Sequence, residues 1–158
     1  MGEIDLEKLR EFIFEAHKHG YAGDGEKCQY SQRPDFEEYS YQAGEWYYRD
    51  SFCGHYLAPG QEVVYFKKPV WAMSYAGGMK PEYHGDYDQG ESTAAFLKEA
   101  LLAVDKDKPF RGPKMYEKGD WLYINHLHGD ITDFLGNEKI YKGHKLLFEQ
   151  NYIGGLII

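Results

Sequence analysis

Two stretches of this chain share one pattern. GEWYYRDSFCG, from Gly44, and GDWLYINHLHG, from Gly119, both read Gly, acid, Trp, any residue, Tyr, and then a Gly after five further positions. The agreement continues in order: GQEVVY from Gly60 answers GNEKIY from Gly136, and YAGG from Tyr75 answers YIGG from Tyr152. The offset grows only from 75 at Trp46/Trp121 to 76 at Glu62/Glu138 and 77 at Tyr75/Tyr152, so two one-residue insertions align the halves. Upstream, EFIFEA resembles AFLKEA at an offset of 84, and Tyr21-Ala22-Gly23 resembles Phe110-Arg111-Gly112 at 89. A period this long is too long for a solenoid, which leaves two copies of one unit.

Each copy reads as a helix followed by about four strands. Leu6, Leu9, Phe12, Ile13 and Ala16 recur at three- and four-residue spacing, as do Leu97, Ala100, Leu101 and Val104, with Ser92 a candidate N-cap for the second helix. The runs EWYYRDSF, QEVVYFK and VWAMSYA, then DWLYINHL, DITDFL, EKIYK and KLLFEQNY, are short, β-branched or aromatic, and punctuated by glycine. Gly60-Gln61 and Gly136-Asn137 read as tight turns. Strands following one another without helices between them form an antiparallel meander. The chain is thus expected to be one α+β domain, 1–158, built from an internally duplicated, pseudo-two-fold unit. The copies run from about 4 to 79 and from 92 to 158, with the polar, Gly-rich residues 80–91 as linker.

Strand side chains alternate, so aligning the copies sorts the two faces. Trp46, Tyr48, Asp50 and Phe52 correspond to Trp121, Tyr123, Asn125 and Leu127, a face of aromatic or aliphatic residues interrupted by one polar group. A polar group there must be hydrogen-bonded, or it costs about 1–3 kcal/mol. Asp50 and Asn125 therefore either brace the sheet or offer a polar contact inside an aromatic-lined cavity. Arg49 points away from Asp50 on a regular strand and is not its partner. Glu62 and Glu138 sit in equivalent positions of separate copies, which reads as turn or strand-start carboxylates lying apart.

His126 and His128 fall on the face that the copies do not share. An HxH pair on a strand can ligate a metal, but a third and fourth ligand are wanting, and the pair reads as solvated or hydrogen-bonded. Asp130, Asp133, His144 and Glu149 are the conceivable third ligands. Cys53 and His55, in SFCGH, have the composition of a nucleophile and its base without an orienting third group. GYAGDG, residues 20–25, follows a helix and reads as its stop, not as a phosphate loop.

Composition narrows the function classes. A net charge of −8 leaves no cationic footprint for phosphates, so no nucleic-acid partner is expected. Two cysteines without CxxC spacing suit a reducing compartment, and neither a signal core nor a membrane-length apolar run is present, so the chain is expected to be cytoplasmic and off the membrane. Aromatic residues make up 17% of the chain, with fifteen tyrosines whose polar tips suit either a pocket lining or an exposed sheet face.

GYAGDGEK, YYRDSFCG, GQEVVYFKKPVWAMSYAGGM, PFRGP, GDITDFLGNEKIY and the closing YIGG resemble an uncharacterised bacterial and archaeal domain, across residues 8 to 158. In some relatives that domain follows a helix-turn-helix DNA-binding domain, and the resemblance there implies a sensory or effector-binding module. Seams between duplicated units are natural ligand sites. The residues read as ligand-binding are Trp46, Tyr48, Asp50, Glu62, Trp71 and Tyr75 in one copy, with Trp121, Tyr123, Asn125 and Glu138 in the other. The expected ligand is a small aromatic or cationic organic molecule, since Trp, Tyr and a carboxylate together suit a cation. No cofactor or bound metal is expected, and the chain is read as a monomer or homodimer that is not an enzyme. A hydrolase using the carboxylates or Cys53 and His55 is the alternative, and a protein-interaction module is a further one.

Overall fold

Leu9, Phe12, Ile13 and Ala16 give the first helix one buried face, and the chain over Leu6–Lys18 (α1) turns that face onto a sheet. Asp5 caps it, its carboxylate accepting from the N–H groups of Glu7 and Lys8 at 3.2 Å. The computed structural model describes residues 4–158; the first three residues of the charged N-terminal stretch lie outside the described residues. Four strands follow: β1 (Glu37–Ala43), β2 (Trp46–Phe52), β3 (Gly60–Phe66) and β4 (Lys68–Met79). A 3-10 turn at Pro81–Tyr83 leads to α2 (Tyr87–Leu102), then to β5 (Met115–Lys118), β6 (Trp121–Asp130), β7 (Asp133–Lys142) and β8 (Lys145–Leu156).

All eight strands form one antiparallel sheet in the order β1-β2-β3-β4-β8-β7-β6-β5. The two longest strands, β4 and β8, lie at its centre and place Tyr75 opposite Tyr152. Gly44 and Gly119 take φ near +60° in the two-residue connections β1–β2 and β5–β6, the backbone that tight hairpins require and that glycine adopts without strain.

Both helices cover the same face. Trp71, Met73, Tyr75 and Met79 share one parity along β4; the first three pack with α1, and Met79 packs with Phe96, Leu97, Ala100 and Leu101 of α2. The opposite face carries exposed Leu135 and Ile153 near the middle of the sheet, while the segment around Gln32 and Arg33 folds back against β1. There Glu38, fully buried, accepts from the N–H groups of Gln32 and Arg33 and from the Ser51 hydroxyl, and lies 2.9 Å from Arg49. Arg49 does point away from Asp50, and its partner is a carboxylate on the far side of the sheet.

Three details depart from the sequence reading. The second helix starts earlier than expected: Asp86, not Ser92, caps it by accepting from the Gln89 N–H at 3.0 Å, so residues 87–91 of the expected linker are helical. The strands β1 and β5 lie in polar sequence without a hydrophobic run, and DITDFL is split by the β6–β7 turn, its last three residues, 133–135, joining EKIYK in the single strand β7. Gly60 and Gly136 are not turn residues. Each is a strand residue whose cross-strand partner is a tyrosine, Tyr75 or Tyr152, and the ring lies over the bare glycine. A Cβ at Gly136 would stand 2.1 Å from Tyr152 Cζ, and one at Gly60 would stand 2.4 Å from Tyr75 Oη.

Neither ring is free to swing away, because each hydroxyl is hydrogen-bonded at 2.7 Å, Tyr75 to Asp50 and Tyr152 to Asn125. Gly136→Ala is therefore expected to destabilise the protein. Overpacking costs about 1–3 kcal/mol, against about 0.5–1 kcal/mol regained by removing a strand glycine. Urea denaturation reads the difference, and a variant as stable as the wild type would show that the ring does not pin this position.

Candidate functional site

Alternation along the strands turns a set of polar side chains toward the helix layer. Asp50 of β2 faces inward and lies opposite Glu62 of β3; in the other half, Asn125 of β6 lies opposite Glu138 of β7. All four are buried. Tyr75 donates to Asp50 and Tyr152 to Asn125, both at 2.7 Å. The Asn125 amide in turn donates to the Gly112 carbonyl at 3.1 Å, so both ends of this side chain are engaged.

Arg111, from the loop after α2, joins the two halves. Its guanidinium meets Glu138 at 2.6 Å through Nη2 and 3.4 Å through Nε, and its Nη1 lies 3.8 Å from Glu62 Oε1. Glu138 also accepts from Tyr123 at 2.7 Å and from Gln150 at 3.0 Å. Glu62 is hydrogen-bonded to His17 of α1, its Oε2 standing 2.8 Å from the imidazole Nε2. Glu62 and Glu138, expected as separate turn carboxylates, are thus both buried and both directed at one arginine. They meet because β4 and β8 alone separate β3 from β7.

Burial dominates the electrostatics here. It pushes the Asp50 carboxyl up to about 7, and the negative charge of Glu62 adds to the rise, while Tyr75, Arg111 and His17 oppose it. Burial also raises the Tyr75 phenol well above its ordinary value, with Asp50 reinforcing the shift, so Tyr75 stays a donor. Burial disfavours the charged form of Arg111, but Glu138 and Glu62 outweigh it and keep the guanidinium firmly protonated.

A cavity of about 110 Å3 opens beside Asp50, between α1, α2 and the sheet. Its polar wall is His17, Asp50, Glu62, Arg111 and Gln150, and its aromatic wall includes Tyr21, Tyr48, Phe52, Tyr56 and Tyr75. Of the residues read from the sequence as ligand-binding, Tyr48, Asp50, Glu62 and Tyr75 line it, and His55 of the alternative hydrolase reading lines it too. Tyr123, Asn125 and Glu138 lie in the adjoining buried network instead. Trp46 and Trp121 are half-buried against the helices, stacked on Phe12 and near Phe96, and Trp71 is a core residue donating to the Ile131 carbonyl at 3.1 Å. His17 and Gln150 escaped the sequence reading, and Arg111 and Tyr152, although aligned with residues of the first half, were not read as site residues. The aligned aromatic-x-Gly steps did mark position 111, but a charged residue there carried no sign of burial.

The other candidates fall outside this cluster. His126 and His128 are exposed on the face away from the helices. Among the described residues no three His, Cys, Asp or Glu side chains are grouped to hold a metal ion. His55 stacks on Tyr87 at 5.3 Å at the cavity's edge, and Cys53 is partly buried beside it in sequence. No helix among the described residues is long and apolar enough to cross a membrane.

One antiparallel sheet with two helices on one face and a charged cluster beneath them defines an α+β domain with a buried polar centre. Residues 50–157 match the family model described as Domain of unknown function (DUF5680), and the chain belongs to that family. No curated protein and no solved structure matches it.

Two outcomes follow from the cluster. Arg111→Met would leave Glu138 buried without its cation, at a cost of about 3–5 kcal/mol, and adding Glu138→Gln should restore part of that loss. A single variant within about 1 kcal/mol of the wild type would mean that the pair contributes nothing net. The second concerns pH. A carboxyl whose pKa is raised on folding contributes stability that is complete below the unfolded value of 3.8 and is lost as pH rises through about 7. Asp50→Asn should therefore gain stability relative to the wild type between pH 5 and about 8, a difference readable in paired denaturation curves. A pH-independent difference would place the Asp50 titration elsewhere.

Proposed function

We propose that this domain is a sensory or effector-binding module that takes a small aromatic or cationic organic ligand in the aromatic-lined cleft between its halves. The observation that carries the reading is Asp50: a carboxyl buried among tyrosines, held by the Tyr75 hydroxyl, and facing a cavity. Burying a carboxylate without sufficient partners is costly, and a cation supplied from outside removes that cost. The tyrosine rings around it favour the same kind of ligand through their faces.

We also read the domain as an internal duplication with a pseudo-two-fold axis between β4 and β8. Support comes from the repeated order of one helix and four strands and from a strand order that runs 1-2-3-4 from one edge and 5-6-7-8 from the other. The hydrogen-bonded pairs Tyr75–Asp50 and Tyr152–Asn125 fall at matching places in the two halves. An experimental structure in which residues 37–79 and 115–156 superpose with Trp46 on Trp121 is the expected result. Strands of different rank under the two tryptophans would end the reading.

A second reading is a hydrolase. Asp50, raised to about 7 by burial and by the charge of Glu62, lies in the range that a general acid or base uses near neutral pH. Under it, hydrolysis of nitrophenyl esters or glycosides by the purified protein would vanish in Asp50→Asn; no turnover of either by the wild type counts against it.

Binding of a cation to Asp50 requires the ionised carboxyl, so affinity should rise with pH through about 7 and binding should release a proton. Titration calorimetry with benzylammonium and with benzyl alcohol tests this. The expected outcome is a preference for benzylammonium that grows from pH 6 to about 8 and disappears in Asp50→Asn. Equal affinity for the alcohol, or an unchanged Asp50→Asn variant, would overturn the ligand assignment.

A further inference from the structure

The two halves of the polar centre differ in one respect that bears on the ligand. In the second half the carboxylate of Glu138 is met by a guanidinium from within the chain, two nitrogens of Arg111 facing its two oxygens at 2.6 and 3.4 Å. Arg111 stands in the sequence Phe110-Arg111-Gly112, and the matching step of the first half is Tyr21-Ala22-Gly23. The aromatic residues of both steps are packed inward, Tyr21 against Phe52 at 5.5 Å and Phe110 against Phe134 at 4.7 Å. Ala22 and Arg111 both line the cavity. Where one half fills its carboxylate site with an arginine side chain, the other presents a methyl group and leaves open space before Asp50 and Glu62.

The charge of the cluster is consistent with something missing there. Asp50, Glu62 and Glu138 are three buried carboxyls, faced by the permanent cation Arg111 and by His17. Arg111 is committed to Glu138, and at 3.8 Å its nearest nitrogen is beyond hydrogen-bond reach of Glu62 Oε1. An ionised carboxylate accepts about four hydrogen bonds. Asp50 receives one from Tyr75, and Glu62 makes one hydrogen bond with His17, so acceptor capacity on both faces the cavity. Asp50 and Glu62 are directly opposed across β2 and β3, a placement that sets their side chains about 5 Å apart at Cβ. A planar cation with donors along its edges spans such a pair, whereas an ammonium group is a point charge with three donors. Guanidinium is also the more weakly hydrated of the two and stacks on aromatic faces, as Arg111 lies over the Tyr75 ring at 5.1 Å.

We infer that the open site takes a guanidinium- or amidinium-bearing small molecule, its head seated against Asp50 and Glu62 as Arg111 is seated against Glu138. The inference rests on the ligand-binding reading above and narrows it to one class of cation. Ala22 is then the residue that keeps the site vacant for an outside ligand, and the chain's own arginine is the pattern for that ligand.

Calorimetric titration of the full chain at pH 8 with benzylguanidinium, benzylammonium and benzyl alcohol tests the class, since the three share a tail and differ in the head. Benzylguanidinium should bind about tenfold or more tightly than benzylammonium, a difference of about 1.4 kcal/mol, with the alcohol weakest. Benzylammonium binding as tightly as benzylguanidinium would overturn the inference and leave the cation-binding reading standing. No preference for either cation over the alcohol would overturn both. Ala22→Arg supplies the internal occupant to the first half and should abolish benzylguanidinium binding while the melting transition persists; retained binding in that folded variant would show that the vacancy is not the site. If Ala22→Arg does not fold, Glu62→Gln serves in its place. It should lose the preference of benzylguanidinium over benzylammonium, and a preference kept in full would remove Glu62 from the site.

Discussion

Arg111 is a guanidinium shut away from water, and a buried cation is tolerated only where carboxylates meet it with good geometry. Its partners come from β7 and β3, with the two central strands between them. The loop leaving α2 is thereby tied to both halves of the sheet on the face that the helices cover. Tyr123 and Gln150, with Arg111 itself, saturate Glu138, so this part of the centre is closed and complete. Glu62 meets the same arginine only as an ion pair at 3.8 Å, beyond hydrogen-bond distance, and there, beside Asp50, the packing opens into a cavity.

The contrast between the two sides of the sheet centre follows from which polar side chain stands on β2 and which on β6. Asn125 can donate as well as accept, and it uses both capacities, toward Gly112 and Tyr152. Asp50, in the corresponding place, is an acceptor when ionised and is offered a hydroxyl by Tyr75. A neutral amide satisfied on both sides braces the sheet. A carboxyl with spare acceptor capacity, lifted toward neutral pH by burial and by Glu62, exchanges its proton near neutral pH instead. Of the two alternatives that the sequence left open for this pair, the brace describes Asn125, whose carbonyl and amide are both hydrogen-bonded.

The glycines opposite the tyrosines support the same centre. Gly60 and Gly136 lack the Cβ that would collide with the rings of Tyr75 and Tyr152, and those rings deliver the hydroxyls to Asp50 and Asn125. In sequence they looked like turn residues, because turns are where glycine is most often needed. A glycine that makes room for a ring on the next strand has no local signature. Only the pairing register of the strands reveals it.

Much of the architecture was legible along the chain. Three- and four-residue periodicity marked the buried face of α1, and alternation placed Trp46, Tyr48 and Asp50 on one face of β2 and Trp121, Tyr123 and Asn125 on one face of β6. These are properties of residues near one another in the chain, and local geometry is enough to decode them. The polar strands β1 and β5 escaped because their pairing, not their hydrophobicity, makes them strands. His17 and Arg111 escaped because a charged side chain reads as solvent-exposed until its partners are known. By itself the sequence determined the class of fold and, along α1, β2 and β6, which side chains share a face. Tertiary structure alone decided that Glu62 and Glu138 converge on one arginine and that a cavity remains beside Asp50, because both depend on strands distant in sequence being brought side by side.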